Sequence, residues 1–221
     1  MSPLKEFTTS TARPLPVILL ADVSGSMSTD GKIDSLNTAV KEMLDTFAAE
    51  DDSRADIHVA VITFGQGGAR LHQSLQPASQ TRWEPMTATG NTPLGAALDV
   101  ATSLLEDKAR VPGRAWRPTL VLVSDGQPTD EWKKPLERLL ASERAARATR
   151  FALGIGADAD RNMLAAFLAS PEARVFEAQE ARQIHRFFQR VTMSVTTRSR
   201  SLNPDSAVPL PPEDQDDGLD Y

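Results

Sequence analysis

Five consecutive apolar residues, Val17 to Ala21, run directly into Asp22-Val23-Ser24-Gly25-Ser26-Met27. A strand with one wet face alternates apolar and polar side chains, and this run does not, so it reads as a strand buried on both faces of a parallel sheet. Parallel strands need helical crossovers, which confines the chain to a layered α/β fold. In open sheets of that kind ligands collect at the carboxyl ends of the strands, where Asp22, Ser24 and Ser26 fall together. One carboxylate and two hydroxyls are hard oxygen donors, suited to Mg²⁺, Mn²⁺ or Ca²⁺ more than to zinc or a soft metal. The sequence contains no cysteine to offer a thiolate.

The remaining pattern alternates strands with helices. A first strand is expected from Pro16 to Val23, and Ile33, Leu36, Val40, Met43, Leu44 and Phe47 then recur at helical spacing. Asp56 to Phe64 predicts a second strand, turning through Gly65–Gly68 into an antiparallel edge strand over Ala69–Leu75, with Gln76 to Met86 as loop. Pro93 opens a helix carrying Leu94, Ala97, Leu98, Ala101, Leu104 and Leu105. A strand follows from Thr119 to Asp125, after a linker over Arg110–Pro118. Thr129 is the expected N-cap of a helix with Trp132, Leu136, Leu139 and Leu140, and Asp130 and Glu131 lie just inside it. Phe151 to Gly156 reads as a strand, Met163 to Leu168 as a short helix, Val175-Phe176 as the start of a last strand, and Ile184 to Val195 as a helix that frays into Ser/Thr/Arg-rich sequence. The whole predicts a doubly wound, mostly parallel central sheet with one antiparallel edge strand and helices on both faces.

Asp-x-Ser-x-Ser is by itself a common turn composition. Two further stretches strengthen it: Thr89-Gly90-Asn91-Thr92-Pro93-Leu94-Gly95, and the second buried run Thr119 to Val123 ending in Ser124-Asp125-Gly126. With these three pieces the chain resembles the von Willebrand factor A (vWA) family over roughly residues 15–200, a doubly wound Rossmann-like domain. That resemblance implies a metal-ion-dependent adhesion site (MIDAS) whose ligands would be Asp22, Ser24, Ser26, Thr92 and Asp125. It implies a divalent cation, Mg²⁺ first, with Mn²⁺ and Ca²⁺ as alternatives, and a protein partner whose Asp or Glu carboxylate completes the ion's shell. The wording Asp-Val-Ser-Gly-Ser-Met and Ser-Asp-Gly-x-Pro-Thr-Asp looks most like bacterial TerY-type proteins of tellurium resistance and stress response. This similarity implies an intracellular scaffold, with kinase-like and phosphatase-like proteins as partners.

Enzymatic readings find less support. A haloacid-dehalogenase phosphatase needs a second Asp where Ser24 stands, no Gly-x-x-x-x-Gly-Lys-Ser/Thr loop exists, and no histidine is placed by the sequence as a base for Ser24 or Ser26. The expectation is a binding module without turnover; a vWA subunit of an ATP-driven, chelatase-like machine and a metal-dependent phosphoryl-transfer enzyme are the alternatives. His58, His72 and His185 match no zinc spacing and read as structural or surface residues. Arg182, Arg186 and Arg190, and likewise Arg144, Arg147 and Arg150, read as solvated helix rows.

The net charge of −6 is unevenly spread. Residues 202–221 hold Asp205, Glu213, Asp214, Asp216, Asp217 and Asp220 and no Lys or Arg, leaving the remainder near neutral. Bulk charge therefore gives no reason to expect nucleic-acid binding. No apolar stretch is long enough to span a membrane, and no secretory signal is legible, so a cytoplasmic location is expected. Residues 1–14 read as a flexible lead-in, 15–200 as the domain, and 201–221 as an acidic, proline-rich tail that is disordered alone. A carboxylate among residues 213–220 is a candidate occupant of the ion's open position, in the same or a neighbouring copy.

Overall fold

The computed structural model describes residues 12–50 and 54–206. Six strands form one sheet: β1 (Arg13–Asp22), β2 (Ala55–Gly65), β3 (Gly68–Pro77), β4 (Thr119–Ser124), β5 (Thr149–Ile155) and β6 (Phe176–Ala178). Their spatial order is β3-β2-β1-β4-β5-β6. Every neighbouring pair is parallel except β2 and β3, which makes β3 the antiparallel edge. The helices are α1 (Lys32–Ala48), α2 (Leu94–Glu106), α3 (Lys133–Ala141), α4 (Glu143–Ala146), α5 (Arg161–Leu168) and α6 (Ala181–Arg200).

The missing alternation in β1 has a direct cause. Leu15, Val17, Leu19 and Ala21 belong to a core shared with Leu36, Val40, Met43 and Phe47 of α1 and Ile184, Phe187, Phe188 and Val191 of α6. Ile18 and Leu20 belong to a second core with Leu94, Leu98 and Leu105 of α2, Leu136 and Leu139 of α3, and Met163, Leu164 and Phe167 of α5. Both faces are covered, so both sets of side chains must be apolar.

β1 starts at Arg13, three residues before the expected Pro16. Pairing with β4 begins only at Val17, so Pro14 and Pro16 lie where β1 has β2 alone as a neighbour, a position compatible with a residue that has no N–H to donate. β3 continues to Pro77, into the expected loop.

Three expectations need correction. α3 begins at Lys133 with Trp132 at its N-cap, so Thr129 does not cap it. α6 does not fray after Val195 but continues to Arg200. The arginine rows hold in part: Arg147, Arg182 and Arg186 are exposed as expected, whereas Arg150 lies in β5 and not on a helix, and Arg144, Arg150 and Arg190 are engaged. Arg144 donates to the carbonyls of Leu105 and Val111, Arg150 donates to the carbonyl of Ala145 at 2.5 Å, and Arg190 lies 4.7 Å over the Phe176 ring. Each reaches back over the hydrophobic layer it borders, as long cationic side chains do.

The described chain ends away from the carboxyl ends of the strands. Arg198 is 1 % exposed, and its guanidinium donates to the Pro204 carbonyl at 2.9 Å, the Thr119 hydroxyl at 2.7 Å and the Arg117 carbonyl at 2.7 Å. The Asp205 carboxylate accepts the Arg117 amide at 2.7 Å. Residues 203–206 are thereby tied to the start of β4. The candidate acids at 213–220 lie outside the described residues.

Candidate functional site

Three segments meet at the carboxyl end of the sheet. The first is the exit of β1, which passes into a short 3-10 turn at Gly25–Ser28. The second is the loop before α2, and the third is the exit of β4. Backbone hydrogen bonds lace them: Thr89 N–H to the Val23 carbonyl at 2.7 Å, Gly25 N–H to Gly90 at 2.9 Å, and Thr129 N–H to Thr92 at 2.9 Å. Thr92 N–H in turn donates to the Thr129 hydroxyl at 3.1 Å, which is the actual task of the residue expected to cap α3. Gly90 has φ +87, and a Cβ there would stand 2.5 Å from the Gln66 backbone; only glycine permits that approach in that conformation.

Within this frame the side chains form a chain of hydrogen bonds. Asp22 Oδ1 accepts the Ser24 amide at 2.9 Å and Oδ2 accepts the Ser124 hydroxyl at 2.6 Å. Ser24 Oγ and Ser26 Oγ are 3.0 Å apart. Ser26 Oγ donates to Asp125 Oδ1 at 2.7 Å, and Lys32 Nζ donates to Asp125 Oδ2 at 2.8 Å. Thr92 borders the group: a Cβ placed on Gly126 would sit 3.9 Å from both Thr92 Oγ1 and Ser26 Oγ. Asp22, Ser24, Thr92 and Asp125 are buried, whereas Ser26 is exposed and forms the mouth.

Asp22 is electrostatically uncomfortable. Burial pushes the Asp22 carboxyl up to about 6 against the donors Ser124 and Ser24, and the nearby charge of Asp125 pushes the same way. A divalent cation relieves both effects at once. Two carboxylates with hydroxyls form the hard-oxygen donor set such an ion takes. Among the described residues no group of three or more His, Asp or Glu side chains could hold a metal; the donors here are two carboxylates and hydroxyls.

The structure thus links Asp22, Ser24, Ser26 and Asp125 and sets Thr92 beside them. Sequence reasoning missed Ser124 and Lys32. The first is signalled by its place at the end of a buried strand, one residue before Asp125. The second has no local signal, because its partner is 93 residues away. The histidines lie outside the network: His58 faces Asp56 at 2.8 Å, His72 the Glu84 carbonyl at 2.7 Å, and His185 faces Glu42 at 3.2 Å.

Among solved structures, the pilus adhesin SpaC of Lactobacillus rhamnosus GG in its open conformation superposes with a TM-score of 0.70 at 17% identity, covering 86% of this chain and 31% of the adhesin. A von Willebrand factor type A protein from Catenulispora acidiphila gives 0.63 at 19% identity, with 83% and 42% coverage. Proximal thread matrix protein 1 of the mussel byssus, in a form with a zinc-occupied MIDAS motif, gives 0.62 at 16% identity, with 82% and 48% coverage. The chain spans less than half the length of each of these. No curated protein matches it by sequence. Residues 17–190, most of the chain, match the von Willebrand factor type A domain, and the chain belongs to that family.

Proposed function

We propose that the chain is a metal-dependent protein-interaction module in which Asp22, Ser24, Ser26, Thr92 and Asp125 hold a divalent cation and a partner's Asp or Glu completes its coordination. The observation that carries this reading is the convergence of three separate loops on two buried carboxylates, with a serine hydroxyl at the exposed mouth. A bound ion would supply a Lewis-acidic centre for an outside carboxylate. The chain's own residues fix the oxygens, exclude water from the back of the site and leave one side open.

The hard-oxygen donor set suits Mg²⁺ first, with Mn²⁺ and Ca²⁺ as alternatives. The zinc reported for the mussel protein belongs to that protein. Von Willebrand factor type A domains are commonly interaction modules, and the adhesin neighbour is named for that role. An intracellular, TerY-like scaffold that gathers kinase-like and phosphatase-like proteins is the finer reading, supported by the wording of the Asp22 and Asp125 motifs. Among the described residues no helix is long and apolar enough to cross a membrane.

The test is capture of partners by the full chain in Mg²⁺ and again in chelator, with Asp22→Ala alongside. Loss of the same partners in chelator and in the variant is expected. Capture that is indifferent to both overturns the adhesion reading. Turnover of a phosphate ester, or co-purification with a P-loop ATPase, would point to the enzymatic or chelatase-like alternative.

A further inference from the structure

Lys32 is the first residue of the seventeen-residue helix α1, directly after Gly31 at the N-cap. This is the end of a helix where backbone N–H groups point outward and the dipole disfavours a cation. Nothing in α1 explains a lysine there. Its ammonium is instead held by Asp125 Oδ2 at 2.8 Å, with the lysine side chain 19% exposed and the aspartate side chain fully buried. The stem lies along the turn after β5, where a Cβ on Gly156 would stand 3.8 Å from Nζ. A cation thus sits against the helix dipole and in contact with a carboxylate of the candidate metal site.

We infer that Lys32 is the residue that sets the charge of the site, holding Asp125 in place before metal binds and keeping a bound cation weakly held and receptive to an outside acid. This rests on the metal-site reading of Asp22, Ser24, Ser26, Thr92 and Asp125. Two carboxylates neutralise a divalent ion completely; with the ammonium included, the occupied site carries one net positive charge, which a partner carboxylate brings to zero. Lys32 also competes with the ion for Asp125, since Oδ1 already accepts from Ser26 and Oδ2 from Lys32. The ammonium and the ion repel each other, and at such range in a partly buried setting that repulsion is worth several-fold to many-fold in affinity. An arginine substituted there keeps the charge; a methionine keeps the stem and removes the charge.

The experiment is Mn²⁺ binding by isothermal titration calorimetry on the full chain, with metal-free thermal unfolding alongside, for wild type, Lys32→Met, Lys32→Arg and the site control Asp22→Ala. Lys32→Met is expected to bind Mn²⁺ about tenfold more tightly while unfolding at a lower temperature without metal, and Lys32→Arg to stay near wild type. Lys32→Gln takes the place of the methionine variant if that one does not fold. Unchanged or weaker Mn²⁺ binding without the charge, beside a wild type that binds, overturns the role of Lys32 and leaves the metal site standing. Absence of Mn²⁺ binding in wild type and in the charge-removed variant alike overturns both.

Discussion

Asp130 caps a helix to which it is not joined. Its Oδ1 accepts the amide of Gly95 at 2.9 Å and its Oδ2 that of Ala96 at 3.0 Å, so the loop after β4 supplies the acceptors that the first turn of α2 lacks. Thr92 sits immediately before that turn, and Leu94 N–H donates to its carbonyl at 2.9 Å. Asp130 therefore adds, without touching Thr92 or Asp125, to the hold that Thr129 exerts on Thr92 through its amide and hydroxyl. Asp130→Ala is expected to cost about 1–2 kcal/mol in urea unfolding, the usual worth of a lost cap. It is also expected to weaken Mg²⁺ binding several-fold in calorimetry, because Thr92 is then held by Thr129 alone. Unchanged metal affinity beside the stability loss would show that Thr92 is positioned by other contacts.

The same junction fixes the identity of Gly95. Glycine inside a helix is ordinarily inferior to alanine by about 1 kcal/mol, so propensity alone predicts that Gly95→Ala stabilises. A Cβ at that position would lie 2.2 Å from the Glu131 carbonyl oxygen, which is main chain and cannot swing aside. Overpacking of this kind costs about 1–3 kcal/mol or more, and it prevails over propensity. Chemical denaturation of Gly95→Ala is expected to show a lower midpoint, and a raised midpoint would refute the contact.

Asp22 gives a prediction in pH. Its folded carboxyl is raised from 3.8 to about 6, chiefly by burial, so between those values the folded state binds protons the unfolded state has released. Metal-free protein should therefore lose stability as pH rises from about 4 through about 6 and be flat beyond, the difference reaching about 3 kcal/mol. Asp22→Asn removes the buried charge; the Ser124 hydroxyl can then accept where it donated. The variant is expected to be more stable than metal-free wild type at pH 8 and to show no thermal shift with Mg²⁺. In wild type the Mg²⁺-dependent shift should fade below pH 6 as Asp22 protonates.

The doubly wound sheet was legible because the signals that define it are local. Val17–Ala21 and Thr119–Val123 lack alternation, and the α1 and α2 stripes carry helical spacing, all within windows of a few residues. Asp22, Ser24 and Ser26 share one such window. Asp125 and Thr92 needed family resemblance, since no spacing within the chain says that their loops meet the first. What stayed hidden depends on tertiary juxtaposition. Thr129 and Asp130 have the residue types of an N-cap, and Asp130 does cap a helix, but α2, 35 residues earlier at Gly95. Lys32 reads as an ordinary helical lysine until Asp125 is beside it. Arg198 lies in the Ser/Thr/Arg-rich stretch after Val195, where nothing local distinguishes it from its neighbours.

Arg198 offers a test of that last point. A guanidinium almost wholly out of water makes three hydrogen bonds, to Pro204, Thr119 and Arg117, and joins α6 and the segment after it to the start of β4. Burial pushes its pKa down to about 10, the nearby Arg117 charge adds to the effect and Asp205 opposes it; it is charged at neutral pH. Arg198→Met fills much of the volume but leaves two carbonyls and a hydroxyl without their donor. Each buried acceptor so orphaned costs about 1–3 kcal/mol where water cannot reach it, so a total loss of about 2–5 kcal/mol is expected in chemical unfolding. The lesion lies at the end of β4 opposite Asp125, so Mg²⁺ affinity of the folded variant should equal that of wild type. Hydrogen exchange should localise the damage to α6 and residues 201–206, and an intact stability would show that solvent reaches the guanidinium's partners.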